Sequence, residues 1–161
     1  MLVDRNLAGF GIFTSKTDSE STCGGHTMKK ELGIARCGLA CCLCSKNKDC
    51  SGCHADNCAD AHECEVRKCC IEKGFNHCFE CGDAEICQKG ILSNLKPHTF
   101  TVFAKKHGID RLTECLEANE KCGIVYHRNG FSGDYDKFLN MNELMKFIED
   151  GKKPCFQEEN Q

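Results

Sequence analysis

The stretch from Cys37 to Cys87 reads CGLACCLCSKNKDCSGCHADNCADAHECEVRKCCIEKGFNHCFECGDAEIC, and its cysteines decide the fold. The chain carries 17 cysteines in 161 residues, and all but Cys23, Cys115, Cys122 and Cys155 lie in this segment. Three pairs have the C-x-x-C spacing: Cys41/Cys44, Cys50/Cys53 and Cys78/Cys81. Cys37, Cys58, Cys64, Cys69 and Cys87 stand singly around them. Two thiols two residues apart can grip one tetrahedral ion from a tight turn. Two such half-sites, or one plus two single cysteines, complete a four-thiolate zinc site. The large apolar residues of the segment are Leu39, Leu43, Val66, Ile71, Phe75, Phe79 and Ile86. These are too few for a core of its own, so the segment needs a staple of metal or disulfide.

Compartment decides between the two staples. The opening residues, MLVDRNLAGFGIFTSK, contain an acid, an arginine and several glycines. They lack the apolar run of about 7–15 residues that a secretory signal needs, and no stretch is long enough to span a bilayer. These features predict a cytoplasmic protein, in which thiols stay reduced and dense cysteines mean metal. An odd cysteine count also fits complete internal disulfide pairing badly. The net charge of −3 and pI near 6.2 speak against a general nucleic-acid binder, which shows a basic face.

The eleven expected metal ligands are Cys37, Cys41, Cys44, Cys50, Cys53, Cys58, Cys64, Cys69, Cys78, Cys81 and Cys87. Two four-coordinate zinc sites use eight of them. A third would draw on His54, His62, His77 or an adjacent cysteine. The spacing leaves the pairing open. Cys42 and Cys70 directly follow another cysteine and are expected as buried thiols rather than ligands. Cys115 and Cys122 lie about 10 Å apart along a helix, too far for one ion, and are expected as core residues. Cys155 is expected to be unliganded. Cys23 and His26 lie in the arm, away from the ordered turns that normally hold ligands. Arg67, Lys68 and Lys73 are read as offsetting the charge of the thiolates.

Other readings of these thiols remain. Cys37-x3-Cys41-x2-Cys44 has the spacing of the radical-SAM enzymes, but the chain lacks the length and the alternating strands and helices of their barrel. An iron–sulfur cluster is the second expectation for the metal, although the bacterial C-x2-C-x2-C-x3-C run is missing. A thiol redox role would need a strand-to-helix turn in a βαβ setting, which is not visible here.

Residues 1–27 end in the polar run SKTDSESTCGGHT and are expected as a disordered arm. Met28 would also serve as a start. Residues 34–92 form the cysteine-rich metal-binding region, 93–150 a helical region packing on it, and 151–161 a polar tail. Within the cysteine-rich region a short helix is expected over 62–73, with Gly74 ending it in the left-handed conformation. Cys64 and Cys69 would then lie about 140° apart around the axis. They therefore serve different sites, or Cys64 precedes the helix. Asp83 is expected to cap a second short helix carrying Ile86 and Cys87. Beyond it, a helix over 98–107 places Phe100, Phe103 and Ala104 on one face before Gly108. Asp110 caps another carrying Leu112, Cys115, Leu116 and Asn119. Residues 124–135 suggest a loop or hairpin around Asn129-Gly130. Asn140 and Glu143 form a capping-box variant for a last helix that buries Met141, Leu144, Met145 and Ile148, with Gly151 after it.

The order of motifs is similar to that of a widespread bacterial and archaeal family of small cysteine-rich proteins of unknown function, presumed to bind zinc. The likeness runs over roughly residues 34–150. It rests on Cys37-Gly38-Leu39-Ala40-Cys41-Cys42-Leu43-Cys44, Cys50-Ser51-Gly52-Cys53, Cys64-Glu65-Val66-Arg67-Lys68-Cys69, Cys78, Cys81, Cys87 and Gly133-Asp134-Tyr135-Asp136. Family members often carry an aromatic-Pro pair before the last cysteine, where this chain has Glu85-Ile86. The resemblance implies a prokaryotic, cytosolic metal-binding domain and no established reaction.

The expected molecule is thus a small metal-dependent α-rich domain, with zinc knuckles packed against several short helices. A fully sulfur-ligated zinc is closed to substrate, so the zinc is expected to be structural. It would shape a surface for a protein or a small ligand. A thiol-based redox or metal-sensing protein is the alternative. An enzyme with a pocket joining His127, Tyr135 and Asp136 is a third possibility, in which Asp134 and Asp136 act as acid/base groups or ligands rather than as turn residues.

Overall fold

The computed structural model describes residues 27–45, 49–55, 57–58, 61–127 and 132–151. Four α-helices and several single 3-10 turns account for the regular structure among these residues, and no strand occurs among them. The arm before Thr27, with Cys23 and His26, lies outside the described residues. So do the Asn129-Gly130 turn and the tail from Lys152, with Cys155.

Helix α1 spans Glu65–Lys73, with Cys64 in extended conformation before it and Gly74 at φ +71° after it. Gly74 N–H closes the last turn onto Ile71 O at 3.1 Å, which is the left-handed cap the sequence signals. Helix α2 spans Leu95–His107 and begins three residues before the expected start. Pro97 sits in its first turn, where the missing N–H would have had no partner. Every residue from Lys96 to Ala104 is buried, so α2 is the central rod of the molecule and packs on both of its helical neighbours.

Gly108, at φ +90°, ends α2 and begins α3, Ile109–Lys121. Its carbonyl accepts the first helical bond, from Leu112 N–H at 3.2 Å. Asp110 is therefore inside the first turn of α3 and not its cap, as the sequence had suggested. Its carboxylate still suits the positive end of the helix. Leu112, Cys115, Leu116 and Asn119 are the buried stripe of α3, spaced as one helical face. Helix α4, Met141–Asp150, starts where Asn140 Oδ1 accepts from Glu143 N–H at 2.9 Å. It buries Leu144, Phe147 and Ile148, while Met141 and Met145 remain only partly covered.

Two cores result. The larger joins Phe100, Phe103, Leu112, Leu116, Tyr135, Leu144 and Ile148 to residues from the cysteine-rich half, including Met28, Ile34, Ala40 and Leu43. The smaller contains Ala35, Cys37, Val66, Cys70, Cys78 and Leu92. Among the described residues its fully buried large aliphatic side chains are Val66 and Leu92, with Leu39 and Phe75 packed partly buried against them. At about 2 kcal/mol each, they fall well short of the ordering cost of about 1–2 kcal/mol per residue. The cysteine-rich half leans on α2 instead. Thr101 Oγ1 donates to Cys37 O (3.0 Å), and Lys105 Nζ donates to Cys81 O (3.0 Å) and Gly82 O (2.8 Å).

Residues 82–86 form consecutive turns, not the helix expected from Asp83. Ile86 is 77% exposed, so a helix there would gain little packing. Asp134 donates N–H to Val125 O (2.7 Å) and accepts Val125 N–H on Oδ2 (2.9 Å).

Candidate metal centre

Three local devices place the paired cysteines. Cys41 and Cys44 bracket a 3-10 turn, Cys41–Leu43, closed by Cys44 N–H to Cys41 O at 3.2 Å. Cys78 and Cys81 bracket a second, Cys78–Glu80, closed in the same way at 3.1 Å. Cys50 and Cys53 flank a turn in which Gly52 N–H donates to Cys50 Sγ at 3.4 Å. Gly52 has φ +87°, and a Cβ there would stand 3.0 Å from Leu32 O. An N–H aimed at sulfur fixes the direction in which that sulfur points.

The thiols fall into two sets. In the first, burial, followed by the neighbouring Cys53, Cys64 and Cys41, pushes the Cys37 thiol from 9.0 to about 12. Burial likewise pushes Cys41 to about 11, with Cys53, Cys44 and Cys50 as its neighbouring thiols. In the second, burial pushes Cys78 to about 12, with Cys70, Cys87, Cys81 and Cys69 around it. The second set lines a cavity of about 320 Å³ with Lys73 and Lys89 at its edge. Lys73 Nζ lies 3.5 Å from Cys81 Sγ, and Lys89 bonds Cys69. These contacts raise both lysines' pKa values. Cys64 and Cys69 therefore belong to different sets, and Cys64 also precedes the helix. Cys58 accepts Ala61 N–H on its carbonyl at 3.0 Å.

Cys42 and Cys70 are buried, at 3% and 2% exposure. Cys42 packs in the large core. Cys70 faces the second set, where it shares a hydrogen bond with Cys78. Cys115 is buried as expected, but Cys122 is exposed, because it caps α3 just before Gly123. The histidines have other partners: His54 Nε2 pairs with Ile34 O at 3.1 Å, and the rings of His54 and His77 meet edge to face at 4.8 Å. Burial and then His54 lower the His77 pKa. Arg67 Nε reaches Cys53 O at 3.4 Å, while Lys68 points away as an exposed residue.

Among the described residues, no three Cys, His, Asp or Glu side chains already stand as a formed coordination shell. The donor chemistry nevertheless fits a thiophilic divalent ion. Each set offers four or more sulfurs, and thiols held neutral by burial would become ligands by releasing their protons to solvent as the ion binds. Among the described residues no helix is long and apolar enough to cross a membrane. No protein-family model, no curated protein and no solved structure matches the chain.

A second cavity, of about 470 Å³, lies at the start of α2 and contains Tyr135 and Asp136 together with Lys96. His127, which the sequence reading joins to them, is not part of its lining and instead packs on Tyr126 at 4.4 Å between ring centres.

Proposed function

We propose that this chain is a cytoplasmic zinc-binding protein of the cysteine-rich family its motifs resemble, with two structural ions that hold the cysteine-rich half on α2. The first ion would draw its ligands from Cys37, Cys41, Cys44, Cys50, Cys53 and Cys64, and the second from Cys69, Cys78, Cys81 and Cys87. The observation that carries the reading is the sorting of the thiols into two sets around a core in which, among the described residues, two large aliphatic side chains are fully buried. Zinc would supply the cross-links that this core lacks. Lys73 and Lys89 would offset the negative charge of a four-thiolate site. Ile71 and Ile86, 51% and 77% exposed beside the second set, offer an apolar contact for a partner protein. An acidic chain favours such a partner over nucleic acid.

The test is zinc content after paired substitution. Cys41→Ser with Cys53→Ser should remove one ion and leave the other, and so should Cys78→Ser with Cys81→Ser. A pair that removes no zinc, or a pair that removes both ions while the helices remain folded, contradicts the assignment.

A further inference from the structure

The cavity at the start of α2 has features that the thiol sites do not explain. Leu39, Ile91, Leu95, Pro97 and Phe138 give it apolar walls, and its volume of about 470 Å³ is within the range of small-ligand sites. Its polar lining is Asn94, Ser132 and an ion pair, in which Lys96 Nζ donates to Asp136 Oδ2 at 2.8 Å, with the lysine side chain 8% exposed and the aspartate side chain 28% exposed. Asp136 Oδ2 also accepts Gly133 N–H at 2.7 Å. Lys96 Nζ lies 4.6 Å over the Tyr126 ring.

Burying a lysine is costly, and here only the lysine end of the pair is buried while Asp136 is exposed, so the pair is a weak source of stability. With Asp136 Oδ2 engaged by Lys96 Nζ and Gly133 N–H, the pair still offers further donor protons on Lys96 and the second carboxylate oxygen of Asp136, and both residues line the cavity. Its net charge is zero, so an anionic ligand would meet Asp136 and a cationic one would meet Lys96. A neutral group with an acceptor next to a donor satisfies both at once, and the apolar walls suit a flat hydrocarbon body.

We infer that this cavity binds a small neutral ligand bearing a carboxamide or lactam edge on a flat apolar ring. Its carbonyl accepts from Lys96 and its N–H donates to Asp136. Leu39, between Cys37 and Cys41, forms part of the wall, so the cavity adjoins the first thiol set, but the inference does not depend on metal.

The test uses benzamide, benzoate and benzylamine as probes on the full chain, followed by amide NMR. Benzamide should saturate and shift the resonances of Leu39, Ile91, Leu95 and Phe138, at least tenfold more tightly than either charged probe. Lys96→Met should weaken benzamide at least tenfold. Asp136→Asn, which keeps an acceptor for Gly133 N–H, should reverse the preference toward benzoate, because Lys96 is then left unneutralised. That reversal stands as the test if Lys96→Met fails to fold. Absence of benzamide shifts at these residues, tighter benzoate or benzylamine binding to the unaltered chain, or an Asp136→Asn protein that still prefers benzamide would each overturn the inference.

Discussion

Tyr126→Phe removes one oxygen and little else. Tyr126 is buried, and its hydroxyl accepts Ala40 N–H at 3.0 Å. Ala40 is 1% exposed and stands between Cys37 and Cys41 in the first thiol set. The ring contacts to Phe100 at 6.2 Å and Tyr135 at 6.0 Å survive in phenylalanine. What remains is a buried backbone N–H with no acceptor, at a cost of about 1–3 kcal/mol. Urea denaturation should show that loss with an unchanged slope. On the proposed reading zinc would order the same loop, so up to the whole cost should also appear in the zinc affinity of the first set, a weakening of about 5- to 140-fold at 1.4 kcal/mol per decade. The second set, which Tyr126 does not touch, should keep its affinity within about twofold, as additivity between distant sites requires. The assay is competition with a chromophoric chelator, with each set isolated by the paired serine substitutions. A stability change below about 0.3 kcal/mol, or equal weakening of both sets, would refute the argument that Tyr126 clamps the first loop.

Three further expectations rest on separate features. Asn119 Nδ2 donates to Tyr135 Oη and to Ile148 O, both at 3.0 Å, in the buried junction of α3 and α4, so Asn119→Ala should lower unfolding free energy by about 2–4 kcal/mol, read by thermal denaturation. Gly38 has φ +86°, and a Cβ there would lie 2.6 Å from Thr101 Oγ1 and 2.8 Å from Pro97 O; Gly38→Ala should cost at least about 1–2 kcal/mol from backbone conformation alone and release zinc from the first set at lower chelator concentration. Burial, followed by Cys41, pushes Cys42 to about 12. A thiol whose pKa is raised by folding contributes stability that is complete below its unfolded pKa near 9 and lost as pH climbs toward 12. The loss should be about 1.4 kcal/mol per pH unit, and Cys42→Ala should flatten the alkaline limb of the stability curve by that slope.

Local chemistry made parts of this molecule legible in the sequence. Gly74 and Gly151 end α1 and α4 in the left-handed conformation, and Asn140 caps α4 through its own side chain. These are one-residue signals with a direct mechanism. Helix α2 carries no such stripe, because it is buried on all sides and its polar residues Lys96, Thr99 and Thr101 are inside with Phe100 and Phe103. Periodicity therefore placed its start too late. Phe147 in α4 is a core residue whose ring packs on Tyr135 at 5.2 Å and Phe138 at 4.8 Å. Lys96 could not have been read as buried, since its partner Asp136 is forty residues away. The sorting of the thiols is equally tertiary: Cys64 and Cys69 are five residues apart and join different sets because α1 begins between them.

The account stands or falls on metal. Protein purified without oxygen should be colourless and carry about two zinc ions per chain by mass spectrometry. Protein that is folded yet metal-free, or brown protein carrying iron and acid-labile sulfide, would contradict it.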